Sequence, residues 1–262
     1  MPTTPPGFLI LDEALVSAVA GDSLELAGDE GRHAAKVARI QVGEQLLLTD
    51  APGRQVLTEV TAAGREALEL RLLADPSPPV QRLPRLTLVQ ALATGGRDEQ
   101  AVEAATELGV DQVVPWIARR SVSVWRGEKL RKGRAKWEAT ARAAVKQCRR
   151  PGIPAVAEPV TTKELLAELR GRSTAGTLVL VLDEQESAGV MSLADRLRSA
   201  AEDGLEEIVV IVGPEGGIDP EELTALRATG ARAVLLGPEV LRSSTAGPAA
   251  IAVLSALVGR WG

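Results

Sequence analysis

The chain has 262 residues, room for one or two domains with a substantial core, and its 45% hydrophobic and 25% charged residues are ordinary globular usage. One cysteine, Cys148, and one histidine, His33, exclude an intramolecular disulfide and a Cys/His metal centre, and no acidic cluster asks for a hard cation. The net charge of −5 argues by itself against nucleic acid, no apolar run approaches the ~20 residues of a membrane span, and MPTTPPGFLI has neither a basic region nor a cleavable apolar segment, so no membrane partner and a cytoplasmic location are expected.

Residues 1–75 read as β-rich, with strands expected at 45–49, 55–61 and 68–73 and a turn at Ala51-Pro52-Gly53-Arg54. The proline-rich run DPSPPVQRLP then marks a linker, 76–84, and a domain boundary. From 85 to 262 strands alternate with helices. Strands are expected at 86–92, 112–117, 155–157, 178–182, 208–212 and 233–236. The pattern predicts a helix over 98–108, where Ala101, Val102, Ala105 and Leu108 share a face and Gly109 ends it. Such alternation predicts an α/β fold, a mostly parallel sheet with helices on both sides, which ordinary topology would leave unknotted.

Between Arg119 and Arg150, twelve lysines and arginines meet only Glu128 and Glu138, a net +10 that leaves −15 on the rest of the chain. A basic island on an acidic protein is either a solvated helix face or a footprint for phosphate, and an imbalance of this size raises the weight of RNA. Trp116, Trp125 and Trp137 fall in or beside it, where indoles either stack on unpaired bases or pack in the core. Core packing fits Trp116 and Trp137 better, because Trp137, Ala141, Ala144, Val145 and Cys148 form one apolar helical stripe. With no tyrosine and only Phe8, an aromatic-platform RNA recognition motif is excluded.

The most informative segment is IVVIVGPEGGID, residues 208–219, an apolar strand that runs into three glycines and then into Asp219, Pro220 and Glu222 as N-cap, first helical residue and capping-box acid. The loop is neither a Walker loop nor the GxGxxG fingerprint, and Glu215 would repel a polyphosphate. It is either a tight turn that needs glycine or a place where an uncharged or cationic ligand meets backbone. A second strand, AVLLG, leads to PEVLRSSTAGPAAIAVLSALV, where Ser243, Ser244 and Thr245 are possible N-caps and Pro248 suits a first turn. The helix expected over 249–258 is apolar on every face except Ser255, so its own domain or a second copy must cover it.

Taken in order, these motifs resemble one family. GPEGG after a strand, then LGPEVLR and Thr245-Ala246 some twenty residues on, is similar to the uridine-N3 methyltransferases of small-subunit (16S) ribosomal RNA, members of the SPOUT class. ATELGVDQVVPWIARRSV resembles the family's ATELGV…P…RS segment, KQCRR followed by Pro154 its QxxR…P element, and HAAKVAR, His33 to Arg39, the start of its small RNA-binding domain.

The resemblance implies a C-terminal trefoil-knotted SPOUT domain and a PUA-like N-terminal barrel acting on RNA rather than DNA, and the apolar helix expected over 249–258 predicts a homodimer. It implies S-adenosyl-L-methionine as cofactor, held by Leu182, by Gly213, Pro214, Glu215, Gly216 and Gly217, and by Leu236, Gly237, Leu241, Ser243 and Thr245. Arg242 and Thr245 take the catalytic positions. His33 and Arg39, with Arg119, Arg120, Arg131, Lys132, Arg134 and Arg149 of the island, are the expected RNA contacts. The chain departs from the pattern at Ser244, where many members carry glutamate, at Thr94 and Ala104 where lysines are common, at Ala143 and at Gly7. The alternatives are another RNA methylation by the same class or an RNA-binding assembly factor without catalysis.

Overall fold

Alternation and apolar runs produce two different sheets. The computed structural model describes residues 5–172 and 176–261, so the opening MPTT of the first expected domain and, in the second, 173–175 and Gly262 lie outside the described residues. The chain divides into one unit of Met1–Gln81 with Val145–Ile153 and a second of Arg82–Ala144 with Pro154–Gly262.

In the first unit, β1 (Gly7–Ile10), β2 (Ser23–Leu26), β3 (Gln45–Asp50), β4 (Gln55–Ala63) and β5 (Leu68–Leu72) form one sheet in the order β1-β3-β4-β5-β2. Only β1 and β3 run parallel. Along β4 the residues Val56, Thr58 and Val60 alternate inward, as a half-buried strand requires, and meet Leu46, Leu48, Leu68 and Leu70 in the core. The expected turn after β3 is made by Asp50, whose carboxylate accepts from the N–H groups of Gly53 (2.8 Å) and Arg54 (2.7 Å), with Gly53 at φ +100°. A short helix, α1 (Gly28–Arg32), passes into a wider turn at His33–Ala38. The pattern did not predict β1 and β2 as strands; four residues are too few to show a period.

The second unit holds β6 (Arg85–Ala91), α2 (Arg97–Glu107), β7 (Gln112–Ile117), α3 (Glu128–Cys148, whose last turn falls in the first unit), β8 (Ala155–Val156), β9 (Val160–Thr161) and α4 (Thr162–Arg172). It continues through β10 (Thr177–Leu182), α5 (Ala194–Glu202), β11 (Glu207–Val212), α6 (Pro220–Arg227), β12 (Arg232–Val234) and α7 (Ser243–Leu257). Every pairing is parallel, in the order β12-β10-β11-β6-β7-β8, with β9 also on β7. Such strands are buried on both faces, which is why TLVLVL and EIVVIV read as continuous apolar runs. Leu165 and Leu169 of α4 and Leu226 of α6 cover the face bearing Val89, Val181, Val209 and Ile211. On the other face α7 approaches β6 so closely that a Cβ on Gly247 would stand 2.9 Å from Leu88 Cδ1.

Two local expectations are corrected. The last helix starts at Ser243 with Arg242 as N-cap, and Pro248 sits inside it, so none of Ser243, Ser244 or Thr245 caps it. Packing of buried Gly247 and Pro248 against the sheet overrides the proline penalty. Glu222 does not close a capping box; Arg119 N–H and the Thr162 hydroxyl draw its carboxylate into the fold instead.

Candidate active site

The chain runs outward from β6 through β7 to β8 and returns with β10 and β11, so the strand order reverses between β11 and β6. Parallel sheets open a crevice at the carboxyl end of such a reversal. Leu182 at the end of β10, the 213–217 loop after β11 and the 235–243 segment after β12 surround a cleft of about 370 Å³.

The 213–217 loop is held by Thr94 and Arg97, which follow β6. Glu215 Oε1 accepts from Thr94 N–H (2.9 Å), the Thr94 hydroxyl (3.0 Å) and Arg97 Nη1 (2.9 Å). Burial alone would raise this carboxyl, but hydrogen bonds from the backbone N–H groups of Thr94 and Glu215 itself, the Thr94 hydroxyl and Arg97 outweigh it and hold Glu215 below its ordinary value. The glycines meet different demands. A Cβ on Gly213 would stand 2.6 Å from Ile218 Cγ1, Gly217 adopts φ +72°, and Gly216 faces Arg120 outside the cleft. Beside Gly237 nothing lies within 4 Å of where a Cβ would stand. A ligand can therefore lie against the backbone there.

A second anchor lies behind the loop. Asp219 caps α6 by accepting from Glu221 N–H (3.0 Å) and also takes Arg119 Nη1 at 3.0 Å, while Arg119 reaches Glu221 at 2.6 Å. Arg120 donates to the Gly216 carbonyl at 3.3 Å. Buried Glu222 accepts from Arg119 N–H (2.9 Å) and from Thr162, whose hydroxyl also receives Trp116 Nε1 (3.1 Å). Arg119 and Arg120, expected as RNA contacts, thus brace the glycine loop.

A family model described as an RNA methyltransferase domain matches residues 81–255, and one described as an RNA methyltransferase PUA domain matches residues 26–73. The ribosomal RNA small subunit methyltransferase E of Mycobacterium bovis is 44% identical over 234 residues, 89% of this chain and 86% of that one. The chain belongs to the ribosomal RNA small subunit methyltransferase E family. The protein of that name from Bacillus subtilis is 25% identical over 89% of this chain and 90% of its own. A putative methyltransferase from Legionella pneumophila, solved with bound SAM, superposes with a TM-score of 0.80 at 26% identity, covering 97% and 98% of the two chains. A ribosomal RNA small subunit methyltransferase E from Neisseria gonorrhoeae, bound to S-adenosyl methionine, shares the fold with a TM-score of 0.81 at 24% identity over 97% and 98%.

Of the residues that the methyltransferase E family pattern implies, Leu182, Gly213, Pro214, Glu215, Gly217, Leu236, Gly237, Leu241, Arg242 and Ser243 are brought together around the cleft. Gly216 and Thr245 are not among its lining residues; Thr245 is exposed on the first turn of α7. Arg242 is exposed and makes no ion pair among the described residues, and Ser243 Oγ is buried without a partner. Sequence reasoning missed Asp183, Glu184, Glu239 and Arg97, which also line the cleft. Asp183 and Glu184 directly follow the end of β10, the signal that could have marked them.

Among the departures from the methyltransferase E pattern, Thr94 has a definite role as the partner of Glu215. Ser244 and Ala104 are half-buried, and Gly7 and Ala143 are exposed. In the first unit, His33 is exposed with its ring 6.0 Å from Phe8, while Arg39 and Arg149 both adopt φ +55°. On α3, Arg131 and Lys132 pair with Glu128 (3.5 and 3.2 Å), and Arg134 pairs with Glu138 (3.1 Å) and Glu158 (2.6 Å). The exposed pairs of Arg131 and Lys132 are worth ~0–1 kcal/mol, whereas Arg134 is half-buried and also donates to the Val156 carbonyl at 3.1 Å. Trp116 and Trp137 are fully buried, as expected of core residues, whereas Cys148 is only half-buried. Among the described residues no helix is long and apolar enough to cross a membrane.

Proposed function

We propose that the chain methylates N3 of a uridine in small-subunit ribosomal RNA, with S-adenosyl-L-methionine as donor bound in the cleft at the ends of β10, β11 and β12. The observation that carries this is the open backbone at Gly237 in a cleft at the carboxyl ends of β10, β11 and β12, in a chain of this family. Asp183, Glu184 and Glu239 give the cleft a wall suited to a ligand with positive charge, in keeping with a sulfonium and an amine.

Bound there, the cofactor supplies an electrophilic methyl group. The protein's part is to orient the uracil in line with it and to accommodate the charge left when the imide N–H gives up its proton. Arg242, at the cleft and free of ion pairs among the described residues, is assigned to the N3 anion or the flanking phosphate. Ser243, with its unpartnered Oγ, and Thr245, whose N–H bonds to the Arg242 carbonyl at 2.8 Å, stand on the same turn as hydrogen-bonding groups.

The first unit, matched by the PUA domain model, is assigned to RNA together with His33, Arg39 and the basic island. The division of labour follows the expected domains, 1–75 for RNA and 85–262 for transfer. The knotted threading of the C-terminal domain and a cytoplasmic location follow from the same reading. A homodimer is supported by α7, whose half-buried or exposed Ala249, Ala252, Val253 and Ala256 form an apolar row. The test is a calorimetric titration with S-adenosylmethionine followed by transfer of its labelled methyl to small-subunit RNA. Cofactor binding with label on uridine N3 is expected; RNA binding without cofactor binding would leave a non-catalytic binder.

A further inference from the structure

Beside the cleft, on the other side of the Thr94–Glu215 hydrogen bonds, lies a second and more open groove of about 700 Å³ within the same unit. One wall is Thr94-Gly95-Gly96, where both glycines adopt positive φ (+64° and +75°) and Gly95, with nothing within 4 Å of where a Cβ would stand, leaves its backbone bare just before α2. The opposite wall is the first turns of α3, which present Lys129, Lys132 and Lys136. Between them stands Trp125, the only indole of the basic island that is not buried in the core. It is fixed there from behind. Its ring lies so close over Gly133 that a Cβ would come within 2.5 Å, and it meets buried Trp137 edge to face at 5.6 Å between centroids. An indole packed on one side and half exposed in a groove is a prepared stacking surface, with little rotamer freedom left to lose.

The charges arranged around it are those of a nucleotide site. Lys129 has no ion pair among the described residues, Lys132 holds only the exposed Glu128, and Lys136 pairs with Glu99 at 2.6 Å. The acids of the groove are accounted for. Glu99 is neutralised by Lys136, and Asp98 is buried below the rim, where it accepts from the Glu99 N–H at 3.0 Å, which leaves Lys129 and Lys132 as the charges that face the groove. A rim of lysines beside an indole suits a base stacked on the ring with its phosphate on the ammonium groups, the pattern by which single strands are held without sequence readout.

We infer that Trp125, Lys129 and Lys132 form a subsite for one unpaired nucleotide of the RNA, next to the target uridine and separated from the cofactor cleft by the Thr94–Glu215 contact. This rests on the RNA-methylating function proposed above and adds a residue that stacks on the strand beside the cleft. In the full-length protein, Trp125→Ala, Trp125→Phe and the pair Lys129→Gln/Lys132→Gln are compared with the parent for decauridylate affinity, its salt dependence and S-adenosylmethionine affinity. Trp125→Ala is expected to weaken RNA binding roughly 5- to 150-fold, the loss of one base stack, while Trp125→Phe restores most of it. The double lysine variant is expected to lower the slope of log affinity against log salt by about 0.7 for each phosphate no longer neutralised. Cofactor affinity stays within about twofold in all three, which also shows that the variants fold. A photo-crosslink from 4-thiouridine in the RNA is expected at Trp125. The subsite is refuted if Trp125→Ala binds the RNA as the parent does, or if Trp125→Phe loses as much as the alanine variant and no crosslink reaches Trp125. A Trp125-dependent complex in which no uridine N3 is methylated would keep the subsite and overturn the reaction.

Discussion

Gly237→Val separates the cleft's role in binding from its role in folding. Nothing lies within 4 Å of the position of the new Cβ, and Gly237 is not among the glycines at positive φ, so the folded chain accepts the side chain without strain. Its stability is expected to change by no more than about 0.5 kcal/mol, as for an unconstrained surface position. The added methyl groups occupy the space along the backbone where the cofactor is to lie, and forcing extra methyls into a filled site costs ~1–3 kcal/mol. That corresponds to a roughly 5- to 150-fold loss of affinity. Gly217→Val is the informative contrast. At φ +72° a β-branched residue costs ~1–2 kcal/mol before any ligand arrives, so stability and affinity fall together. Calorimetric titration with S-adenosylmethionine and thermal unfolding without it provide the two readings. If Gly237→Val binds the cofactor as tightly as the parent, the cofactor does not lie against this backbone and the cleft is wrongly assigned.

Glu222→Gln weakens the acceptor for Arg119 N–H and the Thr162 hydroxyl inside the protein, and a loss of ~1–3 kcal/mol is expected in urea unfolding; an unchanged midpoint would remove Glu222 as an anchor. Because the folded pKa of Glu215 is depressed, its stabilisation is present above the ordinary carboxylate value of 4.5 and disappears as pH falls through the lower folded value. The stability gap between parent and Glu215→Gln should therefore narrow in acid, and a gap independent of pH would contradict the ion pair with Arg97. Reversing Arg131, Lys132 and Arg134 to glutamate should weaken RNA binding and lower its salt slope by ~0.7 per phosphate contact without touching cofactor affinity; parental binding across the salt range would leave the island a solvated face. Ala252→Glu on the outer row of α7 should turn the dimer into a monomer in light scattering, whereas a parental chain already monomeric at micromolar concentration would refute the interface.

Local chemistry was legible in the sequence. The strand, glycine loop and Asp219-Pro220 helix start depend on neighbours in the chain, and the structure reproduces them. The partners of Glu222 were not legible, because Thr162 and Arg119 lie 60 and 103 residues away and only the sheet brings them near. Nor was the cleft itself. The 235–243 segment and the glycine loop line one cleft although β12 pairs with β10 and not with β11, a pairing that hydrophobic periodicity does not encode. Pro248 was misplaced for a related reason, since a propensity rule gave way to close packing of α7 on β6. Family resemblance pointed to the glycine loop and to the 236–245 segment as expected cofactor contacts, and the structure added the acidic wall and the brace from Arg119 and Arg120.

The reaction itself is tested most directly by nucleoside mass spectrometry of small-subunit ribosomal RNA from cells lacking this protein. The expected result is that 3-methyluridine is missing from that RNA and returns when the parental chain is supplied, but not when Gly237→Val is. A full complement of 3-methyluridine without the protein, or the loss of a different methylated nucleoside, would contradict the assignment of uridine N3 as the methylated atom.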